Sequence, residues 1–298
     1  VPLYTSFLRK VSQVTAKSCS DSTSQAMQLC ETPLGTEPPL DVNKNTLLGE
    51  EVEECSRIRF DPPVGIQRYI AVSQILSEDD SVQRVVDFGC STGQFFRYLK
   101  KMEHLRHFAA VDISYGCLEG ACHVARPLVW DCIHKRAHSL TARFYRGSVA
   151  EQDPRLRGFD GVTCIELVEH LHEDDLKKLP GTIFGFVRPK VAVITTPNRD
   201  FNVVFPELRG MRHWDHKFEW SRAEFQSWCS GILDAYPGYS VEYTGVGDAP
   251  SGEFPGIGHC SQIAIFRKIC NDKDLETSSA KLPVYELISE TVHPGRED

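Results

Sequence analysis

Between residues 84 and 268 the chain alternates short apolar runs with helix-like stretches, and that alternation leaves few folds open to it. Arg84–Phe88, His107–Asp112, Ala142–Arg146, Phe159–Ile165 and Lys190–Thr196 are rich in Val, Ile, Phe and Ala and too short for helices, so they read as buried strands. Helical patterns begin near Gln94 and after Ser114 and cover Asp174–Phe186 and Ser221–Ala235; Pro127 must break or kink the second, and Pro180 lies inside the third. Tyr239–Val246 and Ser261–Lys268 then alternate like an antiparallel pair. Parallel strands need helical crossovers. The pattern therefore predicts an α/β fold: a doubly wound, seven-stranded, Rossmann-like sheet with a terminal antiparallel hairpin.

The flanks read differently. Residues 1–17 carry Arg9, Lys10 and Lys17 without an acid, and 18–50 are Ser-, Thr- and Pro-rich with no apolar period. We expect 1–56 to be a flexible arm, 57–270 one domain, and 271–298 a polar, mobile tail, with residues 1–50 and 271–298 dispensable for catalysis. No apolar run reaches the ~18 residues of a membrane span, so no membrane partner is expected. A net charge of −8 argues against coating long duplex nucleic acid, whose affinity comes from many phosphate contacts, but allows a short basic groove. Eleven cysteines without CxxC pairs point to a reducing compartment, hence a cytoplasmic protein.

The first chemical signal is Val85-Val86-Asp87-Phe88-Gly89-Cys90-Ser91-Thr92-Gly93. A buried strand ends beside an acid, and glycines then let the backbone approach a ligand. The next strand ends in Asp112, placed to hydrogen-bond ribose hydroxyls. A dinucleotide would need a third glycine, and Asp87 would repel its pyrophosphate. A sulfonium is welcome near carboxylates, so Asp87, Gly89, Gly93 and Asp112 point to S-adenosylmethionine. In Gly147-Ser148-Val149, after the third strand, a hydroxyl or amide of Ser148 is a further contact, for the adenine edge.

The second signal follows the fourth strand. Glu166, Glu169 and His170 stand at i, i+3 and i+4, on one face if the chain turns helical there, and a divalent-metal site is the chemistry they offer. Either His213 or His216, in Arg212-His213-Trp214-Asp215-His216-Lys217-Phe218-Glu219-Trp220, is available to complete it.

These residues resemble the Hen-type small-RNA 2′-O-methyltransferases, which modify the 3′-terminal ribose of silencing RNAs. The resemblance rests on Val86–Gly93, Val111–Ser114, Tyr145–Val149, Cys164–His170, Thr195-Thr196-Pro197-Asn198, Asp215–Trp220 and Tyr239–Ile265, over roughly residues 58–268. Glu-x-x-Glu-His, Thr-Pro-Asn and Asp-His-Lys-Phe-Glu-Trp together are specific. The resemblance implies a methyltransferase sheet and a metal, Mg2+ or Mn2+, on Glu166, Glu169, His170 and His216, selecting His216 over His213. It implies donor contacts at Gly89, Asp112 and Ser148, with His170 as candidate proton acceptor. It also implies the 3′ ends of piwi-associated RNAs as substrate, presented by a Piwi-type protein, as in the short animal members; for such a single-stranded end Arg199, Arg209, Arg212, Lys217, Phe201, Phe205 and Trp214 are the candidates for holding it by cations and stacking. Relatives often read Gly-Cys-Gly where this chain has Gly89-Cys90-Ser91. The competing expectations are a methyltransferase acting on a small diol or a protein, and a non-catalytic RNA 3′-end-binding module.

Overall fold

The computed structural model describes residues 59–250, 254–269 and 282–296. The expected arm at 1–56, and residues 271–281 of the expected tail, lie outside them. The chain forms α1 (Val64–Ser77), β1 (Arg84–Phe88), α2 (Phe96–Leu99), β2 (His107–Asp112), α3 (Tyr115–Val124), α4 (Val129–Ile133), β3 (Leu140–Arg146), β4 (Gly161–Ile165), α5 (Glu173–Pro180), β5 (Val191–Pro197), α6 (Arg222–Ala235), β6 (Tyr239–Val246), β7 (Ser261–Lys268) and β8 (Glu286–His293). Among the described residues no helix is long and apolar enough to cross a membrane.

One sheet runs in the order β6-β7-β5-β4-β1-β2-β3-β8. β1 to β5 are mutually parallel where they pair, and β7 joins β5, and β6 joins β7, antiparallel. The expected seven strands and terminal hairpin are therefore present. An eighth strand is added. Glu286–His293 lies antiparallel on β3, inside the segment expected to be a mobile tail. Its residues are mostly exposed or half-buried, as an edge strand requires, so its polar composition hides the pairing. His293 is buried and bonds the Ala125 carbonyl through Nε2 (2.8 Å).

Helices cover both faces, so the parallel strands are apolar on both sides. Val86, Phe88, Ala109, Val111, Ile194 and Phe266 pack with residues of α5, α6 and the turn between α5 and β5. Val85, Phe108, Ala110 and Val193 pack with residues of α1, α2 and α3. Two prolines act as read. Pro127 separates α3 from α4, and at Pro180 the helix continues only by widening into a π-helical turn, Gly181–Val187. Ser221 caps α6 by accepting the Glu224 amide while Glu224 accepts the Ser221 amide (2.8 Å).

Strand order reverses between β1 and β4, which leaves a crevice outside their carboxyl ends. The glycine loop after β1 and the Glu-x-x-Glu-His segment after β4 both emerge there. They touch: a side chain on Gly89 would lie 2.8 Å from the Leu167 Cδ1 atom.

Candidate active site

Hydrogen bonds tie the loops after β1, β2 and β3 together. The Gly89 amide donates to the Val111 carbonyl (2.8 Å), and the Ser91 and Ser114 amides donate to the two Asp112 oxygens (2.8 and 2.9 Å). The Gly147 amide donates to the Asp112 carbonyl (3.0 Å). Asp112 is thus oriented by backbone amides and keeps carboxylate lone pairs for further donors. Ser148 accepts the Ala150 amide (3.1 Å), which leaves its hydroxyl proton free to donate. Ser91, the departure from Gly-Cys-Gly, adopts a left-handed φ of 47°.

Gly93 has a packing role that its expected ligand contact does not describe. Its φ is +72°, and a Cβ there would stand 2.8 Å from the Ala121 backbone on α3. Gly93→Ala is expected to cost about 3 kcal/mol, from left-handed strain and overpacking together. Denaturant unfolding reads this directly, and a loss below about 1 kcal/mol would show that the loop relaxes around the methyl group.

Asp87 is buried, and Thr163 Oγ1 donates to it (2.7 Å). Burial pushes its carboxyl up to about 7, the Thr163 bond opposes this, and nearby Asp112 adds to the rise. A raised folded-state value means that the stability Asp87 contributes is complete below its ordinary 3.8 and is lost as pH rises through about 7. The melting temperature should therefore fall from about pH 5 to about pH 8 more steeply in the native chain than in Asp87→Asn. Parallel profiles would contradict this.

At the end of β4 the expected single helical face does not form. Glu166 has φ 51°, and only Val168–His170 makes a turn of 3-10 helix. The first carboxylate, that of Glu166, is held by side chains from other elements. Its Oε1 accepts from Thr195 Oγ1 (3.0 Å) and Ser261 Oγ (2.9 Å), and its Oε2 pairs with Arg68 Nη1 (2.9 Å). Glu169 is 0% exposed; Thr196 Oγ1 donates to its Oε2 (3.0 Å), and its Oε1 has no hydrogen-bond partner. Burial, then the Glu166 charge, pushes the Glu169 carboxyl well above its ordinary range. A buried carboxylate oxygen without a donor is costly unless a cation faces it.

The histidine loop docks on this segment, with the Lys217 amide donating to the Glu169 carbonyl (2.7 Å). Ligand atoms of His170, His213 and His216 lie within 4.8 Å of one another, the one such cluster among the described residues. Their partners separate them. His170 Nδ1 is 3.0 Å from Asp215, and His216 Nδ1 is 2.7 Å from Glu219. Lys217 first and His170 second hold Asp215 below the usual carboxylate range. Burial would raise Glu219, but bonds from Asn202, the Arg212 amide and His216 hold it low. Both carboxylates are acceptors, so both imidazoles carry hydrogen on Nδ1 and offer the Nε2 lone pair, the pairing common behind metal-bound histidines. His213 instead accepts the Asp215 amide at Nδ1 (3.2 Å), which puts its hydrogen on Nε2. The structure thus brings His170 and His216 together as matched donors, with Glu169 next to His170 in sequence, and pairs Glu166 with Arg68.

Of the residues expected to hold RNA, Phe201 is core, and Phe205 packs against the same cluster. Arg212 is an internal clamp, donating to Asn202 Oδ1 (2.6 Å), the Cys260 carbonyl (2.8 Å) and the Asn198 carbonyl. Arg199 pairs with Glu224 (2.7 Å), and Lys217 with Asp215 (3.0 Å). Arg209 is exposed and donates to the Pro206 carbonyl (3.0 Å). Trp214 is 88% exposed beside His213 and is free to stack. Arg68, Thr195, Thr196, Asp215, Glu219 and Ser261 belong to the site without having been singled out. All but Arg68 had a signal, since they lie within the stretches that carry the resemblance.

A family model described as a methyltransferase domain matches residues 66–232. A small RNA 2′-O-methyltransferase of Drosophila melanogaster is 46% identical over 217 residues, covering 70% of this chain and 55% of its own length. The crystal structure of small RNA methyltransferase HEN1 superposes with a TM-score of 0.64 at 32% identity, covering 82% of this chain and 29% of that one. The methyltransferase domain of bacterial CtHen1-C superposes with a TM-score of 0.57 at 31% identity, covering 69% of this chain and 98% of that domain. The chain spans 55% to 64% of the length of the curated animal relatives it matches.

Proposed function

The chain belongs to the Hen-type small RNA 2′-O-methyltransferase family, and on that premise we propose that it transfers a methyl group from S-adenosylmethionine to the 2′-hydroxyl of the 3′-terminal nucleotide of a small single-stranded RNA. The substrates we assign are piwi-associated RNAs, presented by a Piwi-type protein, in the cytoplasm. What supports the reaction is one juxtaposition: the glycine loop with Asp87 and Asp112 meets the Glu169, His170 and His216 group across the β1–β4 crevice, at Gly89 against Leu167.

In this reading Asp112 accepts the donor's ribose hydroxyls, and the Ser148 hydroxyl or amide meets its adenine edge. Asp87, whose carboxyl is pushed up to about 7, lends negative charge near the sulfonium in its ionised form. The 2′-oxygen attacks the methyl carbon in line, the carbon–sulfur bond breaks, and S-adenosylhomocysteine leaves as a neutral thioether. Glu169, His170 and His216 fit a divalent cation: one carboxylate oxygen without a donor and two imidazoles whose Nδ1 hydrogens are already committed. Glu166, which the resemblance adds to this set, already pairs with Arg68 through Oε2 and would keep one carboxylate lone pair for the ion. Such a cation, Mg2+ or Mn2+, supplies Lewis acidity that favours an ionised ribose hydroxyl at neutral pH. The two roles expected of His170 compete for one Nε2 lone pair. We assign that lone pair to the ion, and the hydroxyl proton to water. An internal ribose has its 3′-oxygen esterified, so a terminal 2′,3′-diol is the group that fits.

The test is transfer of labelled methyl from S-adenosylmethionine to a short single-stranded RNA, with and without chelator. Label in RNA that disappears with chelator and returns with Mg2+ or Mn2+ is the expected result. Label that persists in excess chelator would remove the cation from the reading, and no label in RNA would remove the reaction.

A further inference from the structure

Tyr285 enters the donor end from a part of the chain outside every motif described above. It is 4% exposed and immediately precedes β8. Its hydroxyl lies 2.7 Å from the Ser148 carbonyl and 2.7 Å from the Glu151 carbonyl, so its one proton is shared between the two ends of the loop after β3. Its ring occupies the space where Gly147 lacks a side chain; any Cβ there would overlap it. The backbone on either side is fastened as well. Asp153 Oδ2 accepts the Val284 and Tyr285 amides (both 2.8 Å), and Arg155, held to Asp153, donates to the Tyr285 carbonyl (2.5 Å). Arg155 also stacks on Tyr145, 4.4 Å from the ring centroid, at the end of β3.

A loop that opens onto a ligand needs its rear carbonyls satisfied, or it samples other conformations before binding. Here one phenol satisfies two of them, and the fit of its ring against Gly147 sets how close the loop lies to β8. The front of the loop, where the Ser148 hydroxyl is free to donate, stays open. We propose that Tyr285 is a positioning residue for the methyl donor, acting through Gly147-Ser148-Val149 from the segment just before β8, 137 residues downstream of that serine. The proposal rests on reading this loop as part of the donor site. It makes donor affinity depend on the docking of the segment that precedes β8.

The experiment uses the full chain, with S-adenosylhomocysteine as the calorimetric probe and the donor KM, RNA KM and kcat as companions. Tyr285→Phe keeps the ring and removes the hydroxyl. It should weaken S-adenosylhomocysteine binding about fivefold and raise the donor KM in step, the effect of one neutral hydrogen bond, while kcat at saturating donor and the RNA KM stay within about twofold. Tyr285→Ala, if it folds, should weaken donor binding further. Glu290→Gln serves as the control, since it breaks the exposed Arg143 pair (2.6 Å) on the same strand; donor affinity should not change. Unchanged affinity in Tyr285→Phe, or an equal loss in Glu290→Gln, would overturn the positioning role. Failure of the unaltered chain to bind S-adenosylhomocysteine would instead overturn the donor-site reading, and this proposal with it.

Discussion

Replacing His216 with Asn, or Glu169 with Gln, is expected to reduce methyl transfer by at least about 100-fold while leaving S-adenosylhomocysteine affinity within about twofold. Both residues lie on the β4–β5 side of the crevice, whereas Asp112 and the loops bound to it lie over β1, β2 and β3. The two halves therefore separate experimentally. His216→Asn removes the Nε2 lone pair that Glu219 prepares, and Glu169→Gln puts an amide where a buried carboxylate oxygen has no donor. Glu219→Gln should show an intermediate loss of about 10- to 100-fold, because it touches the imidazole rather than the ion. Raising Mg2+ or Mn2+ should restore part of the Glu219→Gln activity but none of the His216→Asn activity. Equal donor-binding losses in all three would mean that the variants damage the fold, and full activity in His216→Asn would exclude it as a ligand.

Much of this arrangement was legible where chemistry and chain order coincide. Asp87, Gly89 and Asp112 stand at strand ends, and strands buried on both faces announce themselves by continuous apolar runs. The hairpin of β6 and β7 was legible chiefly from β6, where Tyr239, Val241 and Tyr243 alternate with polar residues; β7 is buried over its first six residues. Glu-x-x-Glu-His was visible as a motif, but its geometry was not. A spacing of i, i+3, i+4 predicts a shared face only if the backbone is helical, and nothing in the letters says that Glu166 takes a left-handed φ. The partners that then hold it, Arg68, Thr195 and Ser261, come from α1, β5 and β7 and meet only in the folded chain.

The aromatic loop shows the same limit. Phe201 and Trp214 looked equivalent as stacking residues, yet one is fully buried and the other 88% exposed. Arg212 looked like an RNA contact and its side chain is instead bonded to Asn198 and Asn202 after β5 and to Cys260 before β7. β8 was missed because an edge strand needs few apolar residues, and its pairing with β3 is decided by Leu140–Arg146. The choice of His216 over His213 came from resemblance alone. Hydrogen bonding supplies a physical reason for it, since Glu219 sets one tautomer and the Asp215 amide sets the other.

The chemistry of the RNA's last sugar should produce the largest effect of all. A 2′-deoxy end lacks the nucleophile and should accept no methyl. A 3′-deoxy end keeps the nucleophile but no longer presents a vicinal diol, and should react at least about 100-fold more slowly, the scale of losing a ligand contact. A 3′-phosphate adds bulk and negative charge near Glu169, whose carboxylate is already short of positive partners, and should block transfer. Base identity should matter little, since none of the assigned contacts reads a base edge. Exposed Trp214 offers stacking that any base accepts.

The most direct measurement locates the label after transfer to one RNA prepared with either a free or a phosphorylated 3′ end. Nuclease digestion to nucleosides, followed by chromatography, should place all label in the 2′-O-methyl derivative of the terminal nucleoside, from the free-ended RNA alone. Label at internal riboses, or equal labelling of the phosphorylated RNA, would contradict recognition of the terminal diol and the account built on it.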